Sequence, residues 1–246
     1  MTPDEVIAAT SGPIGNIGAA FYFHPATLAT GKEVGLDGFR WYVLGRGGVI
    51  GDVEAAVITS AFGYFSPNLT QKLWSSAKEK MAPREAGRRY HLCAAERGRE
   101  LFAGVAGLEA FNAAAEKVIA AADRDGLPLF AGIAAEPLVE DAPGRAMQLA
   151  AVLREFRGSS HLVAILASGL RAREAHFAKR PNDVKTFGYD ESEVTPVTDD
   201  HHAKLAAAEE ITNNLVRSAY MGLSDAEAQA LVAGAVAMEA ALKPAA

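Results

Sequence analysis

The sequence predicts an all-α protein, a single domain of about nine or ten helices around one central bent helix. Apolar residues recur at helical spacing in several segments, most clearly in residues 108–122. Helix-start signals are frequent, as where a proline follows His24 or Ser66. The most β-prone segment, residues 41–44, has no partner segment of similar quality, so it is interpreted as helix too.

Local signals set the predicted bounds of each element. Residues 2–10 predict a helical turn, which residues 11–13 (Ser-Gly-Pro) break. Asp52 is expected to cap the helix that follows it, and Ser224 with Glu227 forms a capping box for the last helix. The other predicted helices are 25–34, a segment ending near the glycines of 45–51, 53–65, 68–81, 84–104, 108–126, 145–169, a short helix after 170, 199–222 and 225–242.

One connector and one long helix organise the second half of the chain. Residues 127–143 contain three prolines and are expected to be short-helical or irregular, which makes them the candidate boundary between two lobes. Residues 145–169 are almost continuously apolar, which predicts a central buried helix. A break or bend is expected at residues 158–160 (Gly-Ser-Ser).

Composition limits the classes of function. The chain has 246 residues, 50% of them hydrophobic, and a net charge of -6, which predicts a globular protein with no general attraction to nucleic acid. Cys93 is the only cysteine, which indicates a reducing compartment. The first residues are acidic, unlike a secretory signal, and no segment is apolar enough for a membrane helix. We therefore expect a cytoplasmic protein, without membrane or nucleic-acid partners.

Residues 16–75 are the predicted centre of a binding site. They combine aromatic side chains, both tryptophans among them, with glycines and a few cations. Aromatic surface beside isolated cations is typical of a cavity that holds a flat or hydrophobic small molecule by one anionic or polar group. The candidate ligand-binding residues are His24, Phe39, Arg40, Trp41, Arg46 and Tyr64.

Two of these candidates have structural alternatives. A buried guanidinium needs a carboxylate or an anionic ligand, and for Arg46 the slightly favoured interpretation is a pair with Asp52 or Glu54. His24 is explained equally well as a helix-capping or packed histidine.

Arg157 and His161 are the candidate catalytic residues. They lie four positions apart and therefore share one face of an otherwise apolar helix. Polar side chains in such a place need partners, and a cavity at the helix bend would supply a reason for both. The alternative is an ion pair of Arg157 with Glu155, or with a carboxylate of a second helix, beside a core histidine.

No metal site and no cofactor are predicted. No two histidines have the i, i+4 spacing of a helical zinc site, and Cys93 has the apolar neighbours of a core cysteine. A haem held by His24 and His161 stays an open alternative, without a haem-attachment motif.

Three blocks of the sequence carry a resemblance: FHPATLATGKEVGLDGFRWYVLGRGGVIGDVEAAVITSAFGYFSPN, then LREFRGSSHLVAILASGL, then TDDHHAKLAAAEEITNNLVRSAY. In order and spacing they resemble an actinobacterial helix-turn-helix family of unsettled activity. Its longer relatives have a winged-helix-like segment between the second and third blocks, where this chain has only HFAKRPNDVKTFGYDESEVTPV. The family name implies a regulator, and the short segment implies that the DNA-reading part is reduced or missing.

Three functions follow from these observations. The first is a small-molecule-binding protein whose cavity is lined by residues 20–65 and closed by Arg157 and His161. The second is a cofactor-independent enzyme in the same cavity, with His161 or His24 as general acid/base and an arginine stabilising an oxyanion. The third is a DNA-binding transcriptional regulator. A homodimer is an open alternative for the assembly.

Overall fold

The computed structural model describes residues 1–243. These form twelve α-helices and two short 3-10 helices, without a β-strand in that range. The α-helices are α1 (Pro3–Ala19), α2 (Pro25–Glu33), α3 (Gly38–Gly48), α4 (Ala55–Phe62), α5 (Pro67–Lys78), α6 (Pro83–Phe102), α7 (Leu108–Ala121), α8 (Pro128–Ile133), α9 (Ala142–Ala167), α10 (Ala172–Lys179), α11 (Asp199–Tyr220) and α12 (Asp225–Ala241), and the 3-10 helices are Pro181–Asp183 and Glu191–Glu193.

The all-α prediction is confirmed, and the helices pack as a single domain. There are more helices than the predicted nine or ten, because the N-terminal turn is a full helix and the connector contains α8. A division into two lobes near residues 127–143 stays a prediction. Within residues 1–243, no helix has both the length and the apolar composition that crossing a bilayer requires.

The helix starts follow local capping chemistry. Ser66 Oγ accepts a hydrogen bond from the backbone N–H of Leu69 at 3.2 Å, as its position before a proline predicts. Ser224 and Glu227 form the predicted capping box of α12. Asp52 is not the cap of α4, which begins after Glu54, and this prediction is wrong because the Asp52 carboxylate instead pairs with Lys78 of α5.

The first helix continues through Pro13, so the predicted break at residues 11–13 is wrong. Its buried side chains follow one another at intervals of three and four along one stripe, and they include Val6, Thr10, Ile14 and Ile17. The helix packs against α9 and α12. Burial of this stripe offsets the backbone hydrogen bond that Pro13 cannot donate.

The ninth helix is the centre of the molecule. It is one helix of 26 residues, not broken at residues 158–160, and it packs against α1, α6, α7, α8, α10 and α11. Its first half is buried on every side, from Ala146 to Leu153. The predicted central helix is therefore confirmed, and its second half, beyond Leu153, forms one wall of the cavity described below.

The third and sixth helices cross at very short distance. A Cβ atom on Gly48 would lie 2.0 Å from the backbone oxygen of Pro83, and one on Gly45 would lie 2.4 Å from Cγ of Tyr90. Only glycine permits this approach at Gly48, because the obstacle is backbone. The crossing fixes α3 against the core, with the side chain of Arg46 directed toward α9.

Candidate functional site

A cavity of about 970 Å³ lies between α1, α3, α4, α9, α10 and α11. One wall is aromatic and is formed by Tyr22, Phe23, Phe39, Tyr42, Phe62, Tyr64, Phe65 and Phe187. Helix α1 contributes small residues to the lining, namely Ser11, Gly12, Gly15 and Ala19. The volume and the apolar lining match those of sites for small organic molecules.

A buried ion pair joins the aromatic stretch to the central helix. Arg46 donates from Nε and Nη2 to the two carboxylate oxygens of Glu155, both at 2.8 Å. Its Nη1 donates to the hydroxyl of Tyr42 at 3.0 Å, and its guanidinium lies 4.4 Å from the ring centre of Phe62. The side chain of Glu155 is 1% exposed. This bidentate geometry fixes α3 and α9 relative to each other at the cavity wall.

Arg154 and Tyr22 complete this buried cluster. The Tyr22 hydroxyl donates to Glu155 Oε1 at 2.8 Å, and Arg154 Nη1 donates to the same carboxylate oxygen and to the Tyr22 hydroxyl, each at 3.0 Å. Two guanidinium groups therefore share one carboxylate, so the cluster of Arg46, Arg154 and Glu155 has a net charge of +1.

The positive surroundings keep Glu155 ionised. Burial opposes ionisation of this carboxyl, but the Arg46 guanidinium, helped by Arg154 and the Tyr22 hydroxyl, outweighs burial and lowers the pKa of Glu155 to about 2. Burial is the main cause that raises the pKa of Tyr22 far above its ordinary value. At neutral pH the tyrosine is therefore a hydrogen-bond donor and Glu155 is an anion.

A second charged cluster joins Arg157 of α9 to side chains of α10 and α11. Arg157 Nη2 donates to Glu209 Oε2 at 2.9 Å and to Asn213 Oδ1 at 3.2 Å. Lys179 Nζ donates to Glu209 Oε1 at 2.7 Å. Arg157 thus has a carboxylate of a second helix as its partner, as one of the alternatives predicted, and α10 and α11 are joined to α9 through Glu209.

The hydrogen bonds around His161 define its protonation. The hydroxyl of Thr212 donates to the backbone oxygen of Ala208 at 2.6 Å, so at the 2.8 Å contact it accepts from Nδ1 of His161. Nε2 then carries the lone pair and accepts from Lys179 Nζ at 3.3 Å. Burial, helped by the two nearby cations and opposed by Glu209, lowers the pKa of His161 to about 4. A general base at neutral pH needs a free lone pair, whereas the lone pair of His161 Nε2 already accepts a hydrogen bond from Lys179.

The cavity has an excess of positive charge. Five cationic side chains line it against three carboxylates, the cations being Arg46, Arg154, Arg157, Lys179 and Arg180, and the anions Glu155, Asp183 and Glu209. The chain as a whole has a net charge of -6. The cavity is therefore a local positive region in an acidic protein.

Five of the eight predicted site residues line this cavity: Phe39, Arg46, Tyr64, Arg157 and His161. The segment of residues 20–65 and the part of α9 with Arg157 and His161 thus line the same cavity. The predicted pairing of Arg46 with Asp52 or Glu54 is wrong, because the guanidinium pairs with Glu155, which lies 109 positions away.

The other three predicted residues lie outside the cavity lining. Trp41 is fully buried in the core beside Gly31. Arg40 donates from Nε to Ser76 Oγ at 2.8 Å and pairs with Asp37 at the start of its own helix. His24 precedes Pro25 without a side-chain capping bond, and its Nε2 lies 3.9 Å from a carboxylate oxygen of Glu100.

The sequence interpretation missed most of the polar lining, namely Tyr22, Tyr42, Arg154, Lys179 and Glu209, and it considered Glu155 only as a partner of Arg157. One signal was available: Arg154 and Glu155 are adjacent charges within an otherwise apolar helix, and buried charges need a reason. In residues 1–243, no group of three or more His, Cys, Asp or Glu side chains is placed to hold a metal ion.

Comparison with known proteins gives a family. The model of a family described as "Helix-turn-helix family" matches residues 8–246. The chain belongs to this helix-turn-helix family. No curated protein and no solved structure matches the chain.

Within this helix-turn-helix protein, two pairs of consecutive helices are joined by four residues that include a glycine of positive φ. The glycine is Gly35 between α2 and α3, and Gly63 between α4 and α5, with φ of 77° and 76°. Short turns that contain glycine are typical of the helix-turn-helix motif. The exposed face of α5 is polar and contains Asn68, Gln71, Lys72 and Ser75.

Proposed function

We propose that the protein binds a small organic anion with a flat apolar body in the cavity. The observation that carries this proposal is the excess of cationic side chains over carboxylates beside an aromatic wall, in a chain that is acidic overall. A site of this kind concentrates anions locally and offers ring faces to an apolar body.

Arg154 and Arg157 are the side chains that would hold the anion. They lie three positions apart and therefore project from neighbouring positions of the α9 surface. Only one terminal nitrogen of each makes a hydrogen bond within residues 1–243: Nη1 of Arg154 and Nη2 of Arg157. Their remaining N–H groups are available to a carboxylate, sulfonate or phosphate, which a guanidinium binds well.

The aromatic wall supplies the contact for the ligand body. Phe23 and Phe39 are 48% and 37% exposed, and Phe23 stacks on Tyr42 with ring centres 5.3 Å apart. The rings of Phe23 and Phe39 are neighbours, with centres 5.6 Å apart, so they present adjacent aromatic faces to a ligand. A planar molecule can stack on these rings, and we therefore propose a ligand with a flat body.

Equilibrium titration with 2-naphthoate, a planar carboxylate, tests this function. We expect binding by the wild type, and Arg154→Met or Arg157→Met to weaken it about ten-fold or more, because each removes a charged hydrogen-bond donor. Arg89→Met is the matched control, since Arg89 pairs with Glu85 on the surface of α6. Wild-type affinity in both cavity variants would contradict the proposal, as would the absence of binding to the wild type.

Membership of the helix-turn-helix family favours a second candidate, a DNA-binding regulator. The α4–α5 unit supports it, because Asn, Gln, Lys and Ser side chains on the exposed face of α5 are residue types that contact base edges and phosphates. Selection from random duplex DNA at low and physiological salt tests this candidate. Enrichment of a sequence that the double variant Asn68→Ala, Gln71→Ala no longer binds is the expected result, and no enrichment contradicts it.

Apart from these two candidate functions, several expectations from the sequence remain predictions. They are the reduction of the winged-helix segment in residues 176–197, actinobacterial origin, a cytoplasmic location, the absence of a cofactor and a homodimeric assembly. The cofactor-independent enzyme also stays untested, and turnover of any ligand found in the cavity is the measurement that decides it.

A further inference from the structure

We infer that the cavity selects a ligand with two negative charges, either on one group, as in a phosphate monoester, or on two groups, as in a dicarboxylate. The inference deepens the proposed function and rests on it, because it specifies the charge of the anion that the arginines hold. It follows from the places where cations of the cavity lining outnumber carboxylates.

The first excess positive charge lies in the cluster of Arg46, Arg154 and Glu155. Arg46 donates to both carboxylate oxygens at 2.8 Å, and Arg154 donates only to Oε1, at 3.0 Å. These three residues form no ion pair with any other residue of the range 1–243. Glu155 therefore balances one of the two guanidinium groups, and the cluster keeps one positive charge at neutral pH.

The second excess positive charge lies in the cluster of Arg157, Lys179 and Glu209. Arg157 Nη2 and Lys179 Nζ contact different oxygens of the Glu209 carboxylate, at 2.9 and 2.7 Å. Neither cation pairs with another carboxylate in the part of the chain that the structure describes. The neighbouring His161 adds no charge at neutral pH, because burial lowers its pKa to about 4. This cluster also keeps one positive charge.

The other ionisable side chains of the lining add no net charge. Arg180 Nη1 lies 4.0 Å from Asp183 Oδ2, so these two charges balance each other. Burial lowers the pKa of His176 below its ordinary value, which keeps the imidazole neutral at about pH 8. Burial also raises the pKa of Tyr64 and of Tyr220 to about 12. The two clusters therefore account for the excess of two cations over carboxylates in the cavity.

Both clusters offer free donors to a ligand. Nε and Nη2 of Arg154, and Nε and Nη1 of Arg157, make no hydrogen bond within residues 1–243. None of these four nitrogens is a buried polar atom without a partner, so each one is accessible. The two side chains line the cavity and are 29% and 26% exposed. They are three positions apart on one helix, which places their Cβ atoms about 5–6 Å from each other. One ligand can therefore contact both clusters.

Unbalanced charges in a partly buried place select their counter-ion. The aromatic wall excludes water from part of the cavity, so charges there are less screened than charges on an open surface. A monoanion balances one cluster and leaves the other without a counter-ion, whereas a dianion balances both. Guanidinium groups bind carboxylate and phosphate oxygens with paired hydrogen bonds, so both kinds of dianion suit the free donors.

Three ligands with the same naphthalene body test the inference by calorimetry at about pH 8 and constant ionic strength. 2-Naphthoate has one negative charge, and 2-naphthyl phosphate and naphthalene-2,6-dicarboxylate have two, since the second pKa of a phosphate monoester is about 6. We expect one or both dianions to bind the wild type at least about ten-fold more tightly than 2-naphthoate. Tighter binding of the phosphate would assign both arginines to one group, and tighter binding of the dicarboxylate would assign each cluster to its own group.

Two substitutions change the charge of the second cluster and keep both arginines. The side chains of Lys179 and Glu209 are 44% and 43% exposed, so we expect both variants to fold. Lys179→Met removes the excess charge, and the ratio of monoanion to dianion dissociation constants should fall to within about three-fold of one. Glu209→Gln adds a second excess charge, and the ratio should rise about three-fold or more.

Lys185→Met is the matched control for the loss of a positive charge. Lys185 pairs with Glu191, is 74% exposed and lies outside the cavity lining. We expect the ratio of this variant to stay within about two-fold of the wild-type ratio, because water screens an exposed charge. A ratio lowered as much as in Lys179→Met would mean that the net charge of the protein, not the second cluster, selects the dianion, and would overturn the inference.

The inference and the proposed function can fail separately. If the wild type binds 2-naphthoate and binds neither dianion more tightly, the inference is wrong and the proposed function stands. A preference that is the same in the wild type, Lys179→Met and Glu209→Gln would also overturn the inference. If the wild type binds none of the three ligands, both fail. Should circular dichroism show that one of the two cluster variants does not fold, the ratio of the other decides.

Discussion

Arg46 and Glu155 form a bidentate ion pair, with both N–H···O distances at 2.8 Å, between two helices that are far apart in the sequence. The carboxylate is 1% exposed, and the guanidinium side chain is 13% exposed. Charges buried to this extent are stable only together, because each alone would lose its hydration without compensation. The pair therefore links the stability of the fold to the architecture of the cavity.

We predict that Glu155→Gln destabilises the protein by about 3–5 kcal/mol, because it leaves the buried guanidinium of Arg46 and the partly buried one of Arg154 without their counter-ion. Urea unfolding followed by circular dichroism measures the loss. Glu209→Gln is the control, since this carboxylate is 43% exposed and partly exposed pairs contribute at most about 1 kcal/mol. Equal losses of unfolding free energy in the two variants would show that Glu155 contributes no more to stability than the partly exposed Glu209.

Acid should destabilise the protein through the same carboxyl group. The pKa of Glu155 is about 2 in the folded state against an ordinary value of 4.5, so its contribution is complete above pH 4.5 and is lost as the pH falls from 4.5 toward 2. The depression corresponds to about 3 kcal/mol. The free energy of unfolding of the wild type should fall more steeply over this range than that of Glu155→Gln. Parallel curves would contradict the prediction.

His161 should be neutral, with its proton on Nδ1, at pH values well above its lowered pKa of about 4. Proton–nitrogen correlation NMR of the imidazole distinguishes this tautomer from the Nε2–H form and from the cation. In Thr212→Val the acceptor for Nδ1–H is absent, so we expect a mixture of tautomers there. Protonation of wild-type His161 near its ordinary pKa of 6.5 would show that the imidazole is not buried in solution as described.

Gly48→Ala should destabilise the protein by about 1–3 kcal/mol or more, because the added methyl group collides with the backbone of Pro83 and forces α3 away from α6. Gly104→Ala, at a position with open space, is the control. Thermal unfolding compares the two variants. A melting temperature of Gly48→Ala at or above that of the wild type would mean that the helices do not cross as described.

The features that could be predicted are those that depend on residues close together in the sequence. The caps at Ser66 and Ser224 need only the residues three positions ahead, so they are visible as local patterns. The central position of residues 145–169 followed from an apolar segment too long to lie on a surface. Residues 20–65 were predicted to line a cavity because aromatic residues and glycines cluster there in the sequence. This signal is also local.

Pairings between distant elements were not predictable in this way. Asp52 and Glu54 are the carboxylates nearest to Arg46 in the sequence, yet the crossing of α3 over the core directs the guanidinium to Glu155. In α1, Pro13 suggested a helix end, and packing against α9 and α12 overrode this local preference. In both cases the tertiary contact, absent from any short segment, decides the structure.

The ninth helix contains the middle of the core in its first half and a wall of the cavity in its second. A compound that occupies the cavity therefore binds an element which cannot unfold separately from the rest. Mass action then raises the global unfolding free energy by about 2.7 kcal/mol when the compound is present at about 100 times its dissociation constant. A compound library can thus be screened for molecules that occupy this cavity by heat resistance alone, without an assay of turnover.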